Sequence, residues 1–174
     1  VGGPSFTLTV TGTNFVNGAQ IYFGGQAHTA NLVVPGTRLT ATIGANEIDA
    51  LGTVAITVTN PAPTNASPSS VPFTMTQLGL SLAPASTFTL TAGNSSQMTV
   101  TLSAIQANTT VISMTASQED RVSLPVTVTV PAGSLQTSFA ITATNAATVT
   151  LAAALPATVG GATSQTTLVI LESP

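Results

Sequence analysis

Apolar residues alternate with threonine along much of the chain, beginning with Phe6, Leu8 and Val10. This period of two is typical of a β-strand that buries one face. Asparagine and glycine follow at 12–14 and 17–18, where they favour turns because both residues tolerate positive φ at little cost. The order strand, turn, strand recurs to the end of the chain. It predicts an all-β fold made of two tandem antiparallel β-sandwiches.

The same alternation predicts the positions of the individual strands. After the opening strand, we predict strands at 19–23, 26–34, 39–43, 53–59, 71–75, 78–82, 88–90, 98–102, 111–116, 122–124, 126–130, 137–142, 148–154 and 166–171. The alternation lapses between Ala45 and Leu51. There Asn46 is predicted to cap one helical turn that has Glu47 and Asp49 near its start and ends at Gly52.

Several motifs in the first part of the chain occur in a familiar order. They are Gly2-Gly3-Pro4, the sequence GTNFVNG at 12–18, YFGG at 22–25, and VAITVTNP at 54–61. With them, residues 1–76 resemble an IPT/TIG immunoglobulin-like domain. Members of that family occur in bacterial surface proteins, receptor ectodomains, secreted polysaccharide enzymes and some transcription factors. The resemblance therefore implies a sandwich module and not a reaction.

Members of that family usually begin with a strand ahead of the Gly-Gly-Pro turn, and this strand is missing here. Three explanations are open: the strand has been cut off or left out, a neighbouring chain donates it, or the domain manages without it. An uncovered groove beside an uncharged sheet would favour association with another strand. The residues expected to line this strand-acceptor slot are Phe6, Leu8, Val10, Val54, Ile56 and Val58.

A second domain is predicted at 77–174. Its phrases GNSS at 93–96, VTVPAGS at 128–134 and FAIT at 139–142 resemble the bacterial immunoglobulin-like repeats of large exported proteins. That resemblance also implies a β-sandwich and no catalytic activity.

Charge is scarce in this chain, and its scarcity excludes several kinds of partner. Only 4% of the residues are charged, the cations are Arg38 and Arg121, and the net charge is −3. Two arginines do not neutralise a phosphate track, so nucleic-acid binding is not expected. No apolar run reaches the ~18 residues of a membrane helix, so membrane insertion is not expected either. A nearly uncharged, threonine-rich surface suits a durable protein outside the cell or at its surface.

The chain has few side chains that could bind a metal or a cofactor or act as a nucleophile. Cysteine is absent, which removes thiolate nucleophiles and cysteine-based zinc sites, and His28 is the only histidine. A Ser-His-Asp triad would need His28 and Asp49, yet no serine follows a strand in the way a nucleophile requires. We interpret His28 as an ordinary strand residue, and we expect no catalytic, metal-binding or cofactor-binding residues.

The acidic residues have simpler explanations than catalysis or calcium binding. Glu47 and Asp49 could act as a carboxylate pair on a sugar, but favourable charge at the start of a helical turn explains them. Glu119 and Asp120 could bind calcium with backbone carbonyls, but a solvated turn in which Arg121 is their partner explains them without an ion.

A carbohydrate-binding platform is not favoured, because such platforms are usually built from exposed aromatic rings. Tyr22 is the only tyrosine, and tryptophan is absent.

Two functional hypotheses remain. The first is a non-catalytic structural or adhesive module, a segment of a bacterial surface stalk, adhesin or filament. Its partners would be proteins, and it could assemble by strand donation at the open edge of the first domain. The alternative is an accessory module of a larger secreted enzyme that acts on polysaccharide.

Overall fold

The computed structural model describes residues 1–63 and 69–173. The fold is all-β, as the alternating pattern predicts, and the chain divides into two compact units. The first unit comprises Gly3–Thr76, and the second runs from Gln77 onward. Neither of the short helical turns in the described part of the chain is long and apolar enough to cross a membrane.

The first unit is a sandwich of two antiparallel sheets. One sheet has the order β1-β5-β4 and the other has the order β3-β2-β6-β7. The strands are β1 (Phe6–Phe15), β2 (Gln20–Phe23), β3 (Gln26–Thr29), β4 (Asn31–Val34), β5 (Gly36–Ile43), β6 (Gly52–Thr59) and β7 (Val71–Met75).

The core of this unit forms because the alternation in facing strands is in register. Val10 lies opposite Leu39 and Leu8 opposite Ala41, while Thr9 lies opposite Thr40 on the outer face. Ile21 from the other sheet is fully buried against this layer. Each strand thus directs its aliphatic side chains inward and its threonines toward solvent.

Three local predictions for this unit were wrong. The strand predicted at 26–34 is two strands, β3 and β4, which break at Ala30 and belong to different sheets. The turn predicted at 12–14 is instead an irregularity within β1, and Asn14 there has a φ of 61°. The helical turn spans only Ala45–Glu47, and its N-cap is Gly44 and not Asn46.

The second unit is also a two-layer sandwich. Its sheets have the orders β12-β14-β10-β8 and β13-β11-β15-β16-β9. The strands are β8 (Leu80–Ala83), β9 (Phe88–Thr91), β10 (Ser95–Leu102), β11 (Thr110–Ala116), β12 (Val122–Ser123), β13 (Thr127–Val130), β14 (Gln136–Ala143), β15 (Ala147–Ala154) and β16 (Thr163–Leu171).

The first segment of the second unit pairs with both sheets. β8 pairs antiparallel with β10, and after a break at Pro84 the chain continues as β9, which pairs parallel with β16 in the opposite sheet. The backbone N–H of Leu82 also donates to Ser164 Oγ at 3.0 Å, which links β8 to β16. This segment therefore covers the opening between the edges of the two sheets.

The two units share five strands with the same pairing. β1 pairs with β5 as β10 pairs with β14, and β2, β6 and β7 are adjacent in the same way as β11, β15 and β16. The sequences of β1 and β10 also correspond, because Leu8-Thr9-Val10-Thr11 in β1 matches Met98-Thr99-Val100-Thr101 in β10. Within the described residues, the first unit has no counterpart of β8 and β9.

Candidate functional site

An open cleft of about 520 Å³ lies in the first unit, between the free edge of β1 and the strands β6 and β7. Both sheets contribute to it, because β1 and β7 are edge strands that face each other across the sandwich. Its described lining consists of apolar, hydroxyl and amide residues and includes no charged side chain: Leu8, Thr9, Val10, Thr11, Gly12, Thr13, Asn14, Phe15, Ile56, Thr57, Val58, Asn60, Ser69 and Val71.

Several apolar side chains of the cleft are incompletely buried. Leu8 and Val10 are half-buried, whereas their counterparts Met98 and Val100 in the second unit are fully buried. Val71, at the start of β7, is 60% exposed. The difference arises because β8 and β9 cover the equivalent opening in the second unit. The cleft therefore exposes apolar surface that one further strand would bury.

Two side-chain arrangements hold the sandwich together near the cleft. The rings of Phe6 and Phe73, which do not line the cleft, stack with centroids 5.8 Å apart. Within the lining, Asn60 Nδ2 donates to the carbonyl of Asn14 at 2.7 Å, and Asn60 Oδ1 accepts the backbone N–H of Val16 at 3.3 Å. Asn60, directly after β6, thus ties that strand to the last residues of β1 and to Val16 beyond it.

Four of the six residues predicted for the slot line this cleft: Leu8, Val10, Ile56 and Val58. Phe6 and Val54 do not line it but pack against the core of the unit. Sequence reasoning missed Phe15, Asn60 and Val71, which also line the cleft. The available signal for Val71 was an apolar residue at the start of the strand predicted at 71–75. The role of these residues in binding a strand stays a prediction.

The free edge of β7 is interrupted at Pro72. Gly24 N–H donates to the carbonyl of Ala55 at 3.0 Å, so the polar backbone groups of Ala55 point toward β2. Pro72 lies opposite Ala55, and its ring nitrogen therefore points outward from β7. Proline has no N–H to donate, so at this position the outer edge of β7 offers no hydrogen-bond donor.

His28 and Glu47 form a side-chain hydrogen bond that sequence reasoning missed. Nε2 of His28 lies 2.9 Å from Oε2 of Glu47, and the two side chains are 16% and 19% exposed. Oε1 of Glu47 also accepts the N–H of Gly44 at 3.0 Å. Asp49 is exposed and lies beyond the helical turn. The Glu47 carboxylate therefore ties β3 to the turn before β6.

The remaining charged residues do not converge on a site. Asp120 pairs with Arg121 at 3.1 Å in an exposed turn, as the local-partner interpretation predicts, and Glu119 is exposed there. Over residues 1–63 and 69–173, no three acidic or histidine side chains are grouped closely enough to hold a metal ion.

The fold and the cleft define a β-sandwich module. A family model agrees for the first unit: the IPT/TIG domain matches residues 1–75. No curated protein matches the sequence.

Among solved structures, the S-layer protein rSbsC(31–844) aligns with 91% of this chain at 12% identity and a TM-score of 0.43. This chain spans 21% of that protein. The D00–D0 domain of intimin aligns with 98% of this chain and 86% of its own length, at 10% identity and a TM-score of 0.41. The titin domains z1z2, in complex with telethonin, align with 99% of this chain and 90% of their own, at 16% identity and a TM-score of 0.36.

Proposed function

We propose that the chain is a non-catalytic structural module of a protein exposed outside the cell, built from two tandem immunoglobulin-like domains at 1–76 and 77–174. Its first domain joins neighbouring chains in a stalk, adhesin or filament by accepting an extended strand at the cleft. One observation carries the proposal: Leu8 and Val10 stay half-buried at a free edge whose counterpart in the second unit is covered and buried.

Strand addition at the cleft would be favourable because it both forms backbone hydrogen bonds and buries apolar surface. An unpaired strand edge offers a row of N–H and C=O groups to another chain. Strand addition satisfies these groups, and alternate side chains of the added strand enter the apolar cleft. The uncharged lining favours an uncharged strand, because a charged side chain buried there would find no partner.

Self-association of the isolated chain tests this proposal. With the cleft unfilled, we expect copies to associate in a concentration-dependent way in sedimentation velocity. Val71→Asp places a charge at an exposed position of the lining and should shift the distribution toward monomer. Val33→Asp is the matched control, because Val33 is 47% exposed on β4 and does not line the cleft. A wild-type chain that stays monomeric at the highest attainable concentration would refute assembly through this edge.

A further inference from the structure

The turn between β1 and β2 contains two neighbouring residues that can react with each other. Asn17 is the only asparagine of the chain that is followed by glycine. Asn17 and Gly18 are both exposed, and the N–H of Ala19 closes the turn by donating to the carbonyl of Val16 at 3.2 Å. Gly18 has a φ of 84° at the third position, as a type II turn requires. The carboxamide of Asn17 therefore precedes a backbone N–H that no side chain of its own residue shields.

The two groups that would react are also free of hydrogen bonds. Within the part of the chain that the structure describes, neither the Asn17 side chain nor the Gly18 N–H has a partner. Asn60 shows the opposite arrangement, because its side chain is bonded to the backbone at the end of β1 and the residue after it is a proline, which has no N–H. No existing bond has to break before Gly18 approaches Asn17.

We propose that Asn17 is a site of spontaneous deamidation in the folded protein. The backbone nitrogen of Gly18 attacks the carboxamide carbon of Asn17, and its proton leaves with the departing ammonia to give a succinimide ring. Water then adds to one of the two ring carbonyls, and the ring opens to aspartate or isoaspartate. The reaction consumes one water and releases one ammonia, and it needs no enzyme because both groups are already neighbours. This inference does not depend on strand addition at the cleft.

Isoaspartate at this position would loosen the connection between the two sheets of the first unit. Its main chain passes through the side-chain methylene, so the turn gains one backbone atom. β1 and β2 belong to different sheets, and Ala19, directly after the turn, is 2% exposed. The longer turn cannot keep both the bond from Ala19 to Val16 and the buried position of Ala19. Aspartate adds a charge at an exposed position and leaves the backbone unchanged.

Peptide mapping of the full 174-residue chain tests the proposal. Folded protein is aged in heavy-oxygen water at mildly alkaline pH, then unfolded and cut with trypsin. Trypsin releases residues 1–38, because the chain has no lysine and Arg38 is its first arginine. Tandem mass spectrometry should find one heavy oxygen at position 17, and a protein isoaspartate methyltransferase should label the same peptide. We expect Asn17 to react at least about tenfold faster than Asn145, which is exposed but followed by alanine.

Substitutions separate the chemistry of the turn from general damage. Asn17→Gln should slow the modification of the 1–38 peptide at least about tenfold, because its carboxamide has to close a larger ring. The matched control Asn145→Gln should leave that modification unchanged. Asn17→Asp carries the new charge without the extra backbone atom and should keep the urea midpoint of the first unit. The isoaspartate form should unfold at a midpoint about 0.5 M lower, followed by Tyr22 fluorescence.

A comparison of folded and unfolded protein decides whether the turn is reactive as it stands. We expect Asn17 in the folded chain to deamidate within about tenfold of its rate in guanidinium chloride. The inference would be overturned if Asn17 stayed intact in the folded chain while Asn145 reacted, or if Asn17 reacted only after unfolding. An isoaspartate form with the midpoint of the unmodified chain would overturn the effect on the connection between the sheets.

Discussion

The aromatic cluster beside the cleft gives the sharpest test of how the first unit is held together. Phe73 stacks on Phe6, with centroids 5.8 Å apart and planes at 14°, and meets Phe23 edge-on at 5.2 Å and 65°. Phe73→Leu removes both ring pairs and keeps an aliphatic side chain. Phe6→Leu removes only the stacked pair. The two substitutions therefore differ by one aromatic contact.

The expected losses in the free energy of unfolding follow from the number of aromatic pairs that each substitution removes. An aromatic pair contributes about 0.5–1.5 kcal/mol beyond the burial of its area. Phe73→Leu should therefore lower the free energy of unfolding of the first unit by about 1–3 kcal/mol, and Phe6→Leu by about half as much. In a double-mutant cycle, the coupling energy between positions 6 and 73 should be about 0.5–1.5 kcal/mol, because the rings contact each other directly.

Urea unfolding followed by tyrosine fluorescence measures this quantity. Tyr22 is the only tyrosine and tryptophan is absent, so the signal comes from the first unit alone. A loss of about 2 kcal/mol lowers the midpoint by about 1–2 M at the urea dependence of a small unit. A coupling energy of zero would show that the Phe6–Phe73 stack contributes nothing, and the packing argument would then be wrong.

Three further predictions concern single contacts. Asn60→Ala should destabilise the first unit by about 1–2 kcal/mol, since two hydrogen bonds to the backbone are lost. Urea unfolding followed by tyrosine fluorescence measures this loss, and an unchanged unfolding midpoint would contradict the prediction. In the same assay, Glu47→Ala should lower the free energy of unfolding by about 1–2 kcal/mol, because the N–H of Gly44 and the His28 side chain both lose their partner. Glu47→Gln should lower it less, because the amide oxygen can still accept a hydrogen bond. Equal losses for the two variants would argue against this role of Glu47. Ser164→Ala should speed amide exchange at Leu82 by about tenfold, corresponding to roughly 1.4 kcal/mol; exchange that does not change would show that the bond is not formed in solution.

Strand positions could largely be predicted from the sequence, because the alternation of side chains in a strand is a local property. Phe6, Leu8 and Val10 alternate with threonine, and β1 forms there. The break at Ala30 was missed because the residues around it are all compatible with a strand. Only the tertiary structure shows this break, because β3 and β4 belong to different sheets.

The candidate site was partly predictable for a different reason. A family resemblance predicted an open edge beside β1, and period-two alternation then indicated which faces of the neighbouring strands pointed inward. This argument found Leu8, Val10, Ile56 and Val58. It did not find Asn60, which lies 46 residues from the backbone carbonyl that it holds.

What the amino-acid sequence determined by itself is the class of fold, the strand-forming segments and the scarcity of charge, since these depend on composition and on neighbours along the chain. The tertiary structure alone decided which edges are covered and which are open. Met98 and Leu8 occupy equivalent positions in similar sequences, yet only Met98 is fully buried. The reason is physical: burial depends on whether another strand lies against the edge, and no local pattern in β1 or β10 contains that information.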